Sequence, residues 1–359
     1  MHIVHVTECL AGGVLTFLIN LTSQLKNEEH VIIYGKRDNT PVDVESLFGS
    51  NVHLIYWKTA QREIRPQKDI RALFELLHIL KEIPNINILQ LHSSKAGVLG
   101  RIAARILGLQ DRTFYIPHGV AFARQDVSKI KRNFYVLAEK IADQFAGTVI
   151  ACSNSEKELL VRNGIANVIV INNGIPVPDS EPKYKVPGRP LVFGTVGRIT
   201  SQKNPYLFNE IAKHFRNNPE VKFVWIGDGE LKNEIELADN IEITGWVNTK
   251  EVESYLKKID VYISTSLWEG LPLSVLEAMR LGKPLLLRAC IGNVDLVSGN
   301  GYIFYNLKEA IQMIQKFLCI DTERFMLFSK NSFIKTKSEY SLEQMKSKYL
   351  KLYYKKGSI

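Results

Sequence analysis

Two successive series of short apolar runs, each run followed by a stretch with helical spacing of its apolar residues, constrain this chain more than any other feature of its 359 residues. In the first series the runs fall at 2–7, 31–34, 52–57, 88–92, 114–117 and 148–151, with amphipathic stretches at 15–25, 69–82, 95–107, 128–143 and 155–162. The second series has runs at 191–196, 222–226, 241–244, 261–265 and 284–287, with helical stretches at 204–216, 230–238, 250–257 and 272–281. Strands this short and apolar, alternating with helices, predict parallel sheets covered on both faces. Between the series lies Asn172-Asn173-Gly174-Ile175-Pro176-Val177-Pro178, followed by Pro182, Pro187 and Pro190, a density of breakers that reads as a linker. The expected division is a Rossmann-like domain over 1–172, a linker over 173–190, a second Rossmann-like domain over 191–335 and a basic helix over 336–359 that packs back on the first domain or lies on lipid. In open α/β sheets ligands bind beyond the carboxyl ends of the strands, so the strand ends and a cleft between two such domains are where chemistry is expected.

Hydrophobic residues make up 45% of the chain, enough for each half to bury a core, and this excludes a fibrous or disordered protein. The four cysteines, at 9, 152, 290 and 319, are spaced too widely for a Cys-x-x-Cys metal pair, so neither a disulfide framework nor a structural metal is expected. No basic leader with a long apolar stretch opens the sequence, and no run of about 18 uncharged apolar residues occurs, so a cytoplasmic location is expected. Of the net charge of +9, residues 330–359 supply +6 from eight lysines and two acids, which leaves the rest nearly balanced at +3. That is not the diffuse basic surface of a nucleic-acid binder. A tail in which lysines alternate with Tyr, Leu and Met suits equally a packed terminal helix and a basic amphipathic helix at an anionic membrane surface.

Several residues stand where chemistry is expected. Gly12-Gly13 follows the first strand, where missing side chains let backbone N–H groups approach a phosphate or sugar, although a tight turn needs the same residues. His118 follows the strand at 114–117, and His92 ends the strand at 88–92 before Ser93-Ser94-Lys95-Ala96-Gly97, a stretch that equally reads as a helix cap. Ser155 with Glu158 reads as a capping box. Gly197-Arg198 with Lys203 forms a loop whose two cations can reach one diphosphate, the Arg as a fork and the Lys as a point charge. The segment 264–279 is the most telling. Gly270-Leu271-Pro272-Leu273 opens a helix whose N-terminal N–H groups suit an anion, Glu269 precedes it, and Glu277 lies two turns in among apolar neighbours. An unpaired carboxylate there is costly, so a hydrogen-bonding ligand is expected for Glu277. Gly227-Asp228-Gly229-Glu230 reads as a turn into a helix, because one Asp-x-Glu pair offers a metal too few ligands.

In order along the chain, the Gly12-Gly13 loop, the 92–97 stretch, Pro117-His118-Gly119, Cys152-Ser153-Asn154-Ser155, Asn173-Gly174-Ile175, Gly197-Arg198 with Lys203, Gly227-Asp228-Gly229, Gly245-Trp246 and Glu269-x7-Glu277 resemble the retaining nucleotide-sugar glycosyltransferases of family four, also called group one. The resemblance implies the GT-B fold, two facing Rossmann-like domains with a cleft between them. It implies that Arg198 and Lys203 hold the donor diphosphate, that Glu277 accepts from the donor ribose, that Glu269 lies near the transferred sugar, and that His118 bonds the sugar. It further implies donor contacts from Gly13, Gly197, Gly245 and the backbone of Gly270, Leu271, Pro272 and Leu273, and acceptor contacts from Gly12, His92, Lys95 and Arg124. His118, Glu269, Arg198 and Lys203 form the implied catalytic set. The mechanism implied is a front-face displacement in which the leaving diphosphate helps deprotonate the acceptor hydroxyl, with neither metal nor cofactor and with a UDP-sugar as co-substrate. One departure is Cys290-Ile291-Gly292-Asn293-Val294-Asp295, where the family usually has a Gly-rich loop ending in Glu. The stretch 118–137, basic and partly apolar, looks like the acceptor side of members that build O-antigen or capsule on a lipid diphosphate. The function expected is therefore transfer of a hexose or N-acetylhexosamine to a lipid-linked saccharide, at the inner face of the cytoplasmic membrane and with no nucleic-acid partner. A sugar-nucleotide epimerase of the same fold, or a non-catalytic nucleotide-sugar-binding relative, are the alternatives.

Overall fold

The computed structural model describes every residue except 39, 62, 185, 187, 358 and 359, so Pro187 of the expected linker lies outside the described residues. The chain divides into two compact units, Met1–Ala123 with Val127–Gly174 and Leu342–Ile359, and Arg124–Asp126 with Ile175–Ser341.

In the first unit the elements run β1 (His2–Thr7), α1 (Gly12–Gln24), β2 (Glu29–Tyr34), β3 (Val52–Tyr56), α2 (Pro66–Glu82), β4 (Ile88–His92), α3 (Ser94–Leu107), β5 (Thr113–Ile116), α4 (Lys129–Asp143), β6 (Thr148–Ala151), α5 (Asn154–Arg162) and β7 (Val168–Val170). The seven strands form one sheet in the order β3-β2-β1-β4-β5-β6-β7, and every pairing is parallel. Val4, Val6, Ile33, Leu89 and Leu91 of the central strands pack with Leu76 and Leu80 of α2 and Ala103 of α3, all fully or nearly fully buried. Burying each such aliphatic side chain contributes about 1.5–3 kcal/mol. β7 escaped the sequence reading because three residues carry too little pattern to separate from a loop.

The second unit contains β8 (Leu191–Val196), α6 (Pro205–His214), β9 (Val221–Ile226), β10 (Ile241–Ile243), α7 (Thr249–Lys258), β11 (Val261–Ser264), α8 (Leu273–Arg280), β12 (Leu285–Arg288), β13 (Gly301–Phe304), α9 (Leu307–Leu318) and α10 (Thr322–Glu339). Its six strands are ordered β10-β9-β8-β11-β12-β13, again all parallel. The expected helix at 230–238 is only a 3-10 turn over Glu230–Glu234. Asn209 of α6 takes the place of helical bonding for the rest, donating Nδ2–H to the Glu236 carbonyl at 2.9 Å and accepting the Ala238 N–H at 2.8 Å.

The chain's last helix, α11 (Leu342–Gly357), belongs to the first unit and is separate from α10, so the single basic helix expected over 336–359 starts instead at 342. Its apolar face is covered. Met345, Tyr349 and Tyr353 are buried, Tyr349 meets the Phe17 ring edge-on, and the Tyr353 hydroxyl donates to Gln90 of β4. Of the two alternatives expected for this tail, the packed terminal helix is the one these contacts support, since Met345, Tyr349 and Tyr353 are used in packing while Tyr354 stays exposed. The exposed apolar stripe lies on α4 instead, where Ile130, Phe134, Leu137 and Ile141 recur at helical spacing on the solvent side. Behind it, Glu139 of α4 pairs with the fully buried Arg101 of α3 and accepts the Tyr115 hydroxyl, which ties the helix to the sheet.

Candidate active site

The order of the first sheet reverses between β1 and β4, and loops leaving the carboxyl ends of strands at such a point flank a ligand crevice. After β1 the chain turns into α1 at Gly12, whose φ of +56° is a left-handed conformation that favours glycine. A Cβ on Gly12 or Gly13 would meet nothing within 4 Å, and no side chain caps the N-terminus of α1. The backbone N–H groups of that first turn thus border open space, the setting in which a helix start receives an anion or a sugar oxygen.

At the ends of β4 and β5, Ser93 and His118 hold positive φ values of +67° and +54°, costly for residues with a Cβ and sustained by their surroundings. For His118 the support is Glu156 of α5. This fully buried carboxylate accepts the Gly119 N–H at 2.9 Å and the Cys152 N–H at 2.7 Å, and burial pushes its pKa up to about 7. Sequence reading placed the cap two residues late: Ser153, not Ser155, caps α5 by accepting the Glu156 N–H at 3.2 Å. Helix α5 begins at Asn154, so Glu156 lies in its first turn, turned toward the His118 loop rather than toward solvent.

His118 itself is partly exposed, and burial depresses its pKa to about 3, so it is neutral at physiological pH. His92 is fully buried, with its Nδ1 3.0 Å from His118 Nε2 and its Nε2 3.2 Å from His5 Nδ1. The expectation that His92 touches an acceptor is corrected: with no exposed atom, it reaches a ligand only through His118. Lys95 is spent on Asp69 of α2 at 2.5 Å and on the Glu63 carbonyl. Arg124 makes a two-pronged bond to Asp126, 2.9 Å from Nε to Oδ1 and 2.7 Å from Nη2 to Oδ2, and belongs to the second unit. Glu8, unnoticed in the sequence, is buried just after β1, accepts the Ala96 N–H at 3.1 Å and has its pKa raised by burial.

In the second sheet the reversal falls between β8 and β11, and here the expected donor residues collect. Lys203 Nζ lies 2.7 Å from Glu269 Oε1, and Gln202 Nε2 donates to Glu269 Oε2 at 3.2 Å and to the Trp268 carbonyl at 3.0 Å. Burial alone would lower the Lys203 pKa, but the Glu269 carboxylate outweighs it and the pKa is raised, so the ammonium stays charged. The Thr265 hydroxyl donates to the Lys203 carbonyl at 2.8 Å, closing the turn after β8 onto the loop after β11. Gly197 precedes this turn, and a Cβ there would come within 2.9 Å of Lys203 Cε, so glycine makes room for the lysine stem.

Arg198 is exposed and has no partner among the described residues. Glu277, partly buried in α8, has no hydrogen-bond partner among them either; burial raises its pKa, against the pull of Arg280. Pro272 is the residue before α8 rather than within it, so Leu273 is the first residue of the helix. Gly245 follows β10 and bridges Gly227. In the departing loop, Gly292 has φ +82° and a Cβ there would come within 2.6 Å of the Gly270 carbonyl, so this loop packs against the approach to α8. Asp228 is occupied by Lys232 at 3.3 Å and by the Gly229 N–H at 2.8 Å. Among the described residues no three His, Cys, Asp or Glu side chains are grouped as ligands for a metal ion.

These sites can be set beside known proteins. Residues 11–177 match the model of Glycosyltransferase Family 4, and residues 190–319 that of Glycosyl transferases group 1. The chain is 29% identical to the UDP-Gal:alpha-D-GlcNAc-diphosphoundecaprenol alpha-1,3-galactosyltransferase of Escherichia coli, over 96% of this chain and 94% of that one. It is 24% identical to the N,N'-diacetylbacillosaminyl-diphospho-undecaprenol alpha-1,3-N-acetylgalactosaminyltransferase of Campylobacter jejuni, over 94% and 93%. Anabaena HepE in complex with UDP and glucose superposes with a TM-score of 0.77 at 16% identity, over 98% of both chains, which shows the shared GT-B fold. With two family models in tandem along the chain and the two parallel sheets they require, the protein belongs to the family-four, group-one glycosyltransferases.

Proposed function

We propose that this enzyme transfers a hexose or N-acetylhexosamine from a UDP-sugar to a saccharide carried on a lipid diphosphate, with retention of anomeric configuration, in the synthesis of a surface polysaccharide. The observation that carries the reading is the pair of polar groups left open at the switch point of the second sheet, the Arg198 guanidinium and the Glu277 carboxylate. Arg198 and Lys203 receive the diphosphate, and Glu277 accepts from the ribose hydroxyls. As the glycosidic bond breaks, charge develops on the diphosphate; the two cations and the backbone leading into α8 stabilise it. Glu269 keeps Lys203 in place and lies close to the transferred sugar. No metal and no cofactor is assigned to the step.

Support for the substrates comes from the relatives. Both transferases named above act on a diphosphoundecaprenol-linked sugar and form an alpha-1,3 linkage, and the donor of the first is UDP-Gal. The common UDP-hexoses are themselves α-linked, so an α product corresponds to retention. A lipid-linked acceptor also fits α4, whose exposed Ile130, Phe134, Leu137 and Ile141 are accompanied by Lys129, Lys131, Arg132 and Lys140. An apolar stripe flanked by cations suits peripheral docking on an anionic bilayer, and no helix among the described residues is long and apolar enough to cross one.

The test is a thermal-shift comparison of UDP, GDP, ADP and CMP with their sugar conjugates. A ligand that binds the native state alone raises Tm, by about 2.7 kcal/mol of stability at a hundred times its Kd. The reading predicts a selective shift with UDP compounds that disappears in Arg198→Ala. A shift with another nucleotide replaces the donor assignment, and no shift with any of them contradicts the reading.

A further inference from the structure

Four of the eight histidines form one continuous hydrogen-bonded chain inside the first unit. His30 Nε2 lies 3.2 Å from the Leu25 carbonyl, His30 Nδ1 3.0 Å from His5 Nε2, His5 Nδ1 3.2 Å from His92 Nε2, and His92 Nδ1 3.0 Å from His118 Nε2. His30, His5 and His92 sit on β2, β1 and β4, three adjacent strands, and all three are fully buried. The bonded rings lie edge to edge and nearly coplanar, His5 and His30 with centroids 5.3 Å and planes 21° apart, His92 and His118 with centroids 5.3 Å and planes 17° apart. Phe17 of α1 closes the end, edge-on to His118.

The far end sets the direction of the whole chain. A carbonyl oxygen only accepts, so the nitrogen facing it, His30 Nε2, carries the hydrogen. In a neutral imidazole the other nitrogen is then bare, so His30 Nδ1 accepts and His5 Nε2 donates. The same step repeated passes through His5 and His92 and ends with hydrogen on His118 Nε2 and a bare Nδ1. The count closes: four neutral rings carry four N–H groups, and four hydrogen bonds use them, three between rings and one to Leu25. A proton added to His30, His5 or His92 would set two N–H groups against each other in the buried chain; only the outward Nδ1 of His118 could take one without such a clash, and there burial depresses the pKa, as it does for the other three rings. Reversing the chain would turn a bare His30 nitrogen toward an oxygen lone pair. Leu25 is moreover the C-cap of α1, where the helix dipole is negative and favours a donor.

We propose that His30, His5 and His92 are positioning residues that lock His118 as the Nε2–H tautomer, so that His118 meets its substrate as a neutral acceptor at Nδ1, taking a hydrogen bond from a sugar hydroxyl. The chain is a lock and not a conduit, because a backbone carbonyl at its end cannot take up a proton and pass it on. His118 Nδ1 has no partner among the described residues, which leaves it for the substrate. A site of this polarity favours a sugar with a hydroxyl at the contacted carbon over its deoxy or O-methyl counterpart. That His118 faces the substrate rests on the transferase reading; its tautomer does not.

The experiment is two-bond 1H–15N correlation spectroscopy of the full chain labelled with 15N-histidine at pH 7.5, with His118 assigned from the peaks lost in His118→Gln. The expected spectrum shows His118 with a protonated Nε2 and a bare Nδ1. A protonated Nδ1, or two tautomers in exchange, overturns the lock. His5→Phe keeps a ring in the cavity but cuts the chain, and is expected to release His118 into a mixture of tautomers; a His118 spectrum unchanged in that variant overturns the positioning role. Should His5→Phe fail to fold, His30→Leu removes the anchor and carries the same expectation. Transfer assays separate the two readings: a locked tautomer in a protein that transfers no sugar leaves the lock standing and removes the transferase reading, whereas transfer by a protein with His118 protonated on Nδ1 does the reverse.

Discussion

Lys203 Nζ stands 2.7 Å from Glu269 Oε1 and so joins the turn after β8 to the loop after β11, two segments 66 residues apart at the switch point of the second sheet. Five residues before it, Arg198 is exposed and unpaired among the described residues, so the two cations differ in what else they do.

Arg198→Ala is therefore expected to change stability by no more than about 0.5 kcal/mol, the range for an exposed side chain without special contacts. Its kcat should fall by about 10²–10³, the usual loss when one donor to a developing oxyanion is removed. Lys203→Ala should show a comparable kinetic loss and also a lower Tm, because it leaves the buried Glu269 carboxylate without its cation. Equal Tm values for the two variants would refute the distinction, and wild-type turnover in either would remove it from the diphosphate site.

Gly292→Ala is expected to be damaging for two separate reasons. Its φ of +82° costs a residue with a Cβ about 1–2 kcal/mol, and the added methyl would come within 2.6 Å of the Gly270 carbonyl, next to α8. Activity should drop with KM for the donor raised. A variant with unchanged donor KM would show that this loop does not shape the donor site.

The pH dependence of stability carries opposite signs in two parts of the first unit. Burial raises the Glu156 pKa from 4.5 to about 7, so its favourable contribution is complete below pH 4.5 and is lost as pH rises through 7. The shift corresponds to about 3 kcal/mol. Glu156→Gln removes this dependence, so the stability gap between wild type and variant should narrow between pH 4.5 and 7.5; a constant gap in urea titrations refutes it. For His118, with a pKa depressed from 6.5 to about 3, and for His5, His92 and His30, also depressed, the contribution is complete above pH 6.5 and is lost as pH falls toward 3. His118→Gln should accordingly lose stability less steeply than wild type below pH 6.5.

Phe134→Asp and Leu137→Asp on α4 should leave Tm almost unchanged, since both side chains are exposed, yet reduce binding to vesicles containing anionic lipid. Binding of the wild type should weaken with salt, as screening shortens the reach of Lys129, Lys131 and Arg132. Vesicle binding unaffected by either change would move the docking surface away from α4.

What was legible in the sequence follows from the range over which each feature acts. Arg198, Lys203, Glu269 and His118 all lie in the connections that follow strands, and a strand end is set by local pattern, so their placement beyond the strand ends could be read directly. The histidine chain could not be read, because its links join residues 25, 87 and 26 positions apart and depend on strand order. The same holds for Glu156, whose partner Gly119 lies 37 residues away. The tail stayed open between two readings for a different reason: Tyr349 and Tyr353 in a lysine-rich helix have one pattern whether the apolar face meets lipid or Phe17 and Phe114, and only the packing separates the two.

Sugar transfer itself can be followed directly. Purified enzyme is incubated with a synthetic prenyl-diphosphate-linked N-acetylglucosamine and UDP-galactose, UDP-glucose or UDP-N-acetylgalactosamine in turn; the product is followed by mass spectrometry and its anomeric configuration read by NMR. A single sugar is expected to be added from one UDP donor, joined through an α linkage, at a rate reduced at least about a hundredfold in Arg198→Ala. A β-linked product, or hydrolysis or epimerisation of every donor with nothing added to the lipid-linked sugar, would contradict the proposed function.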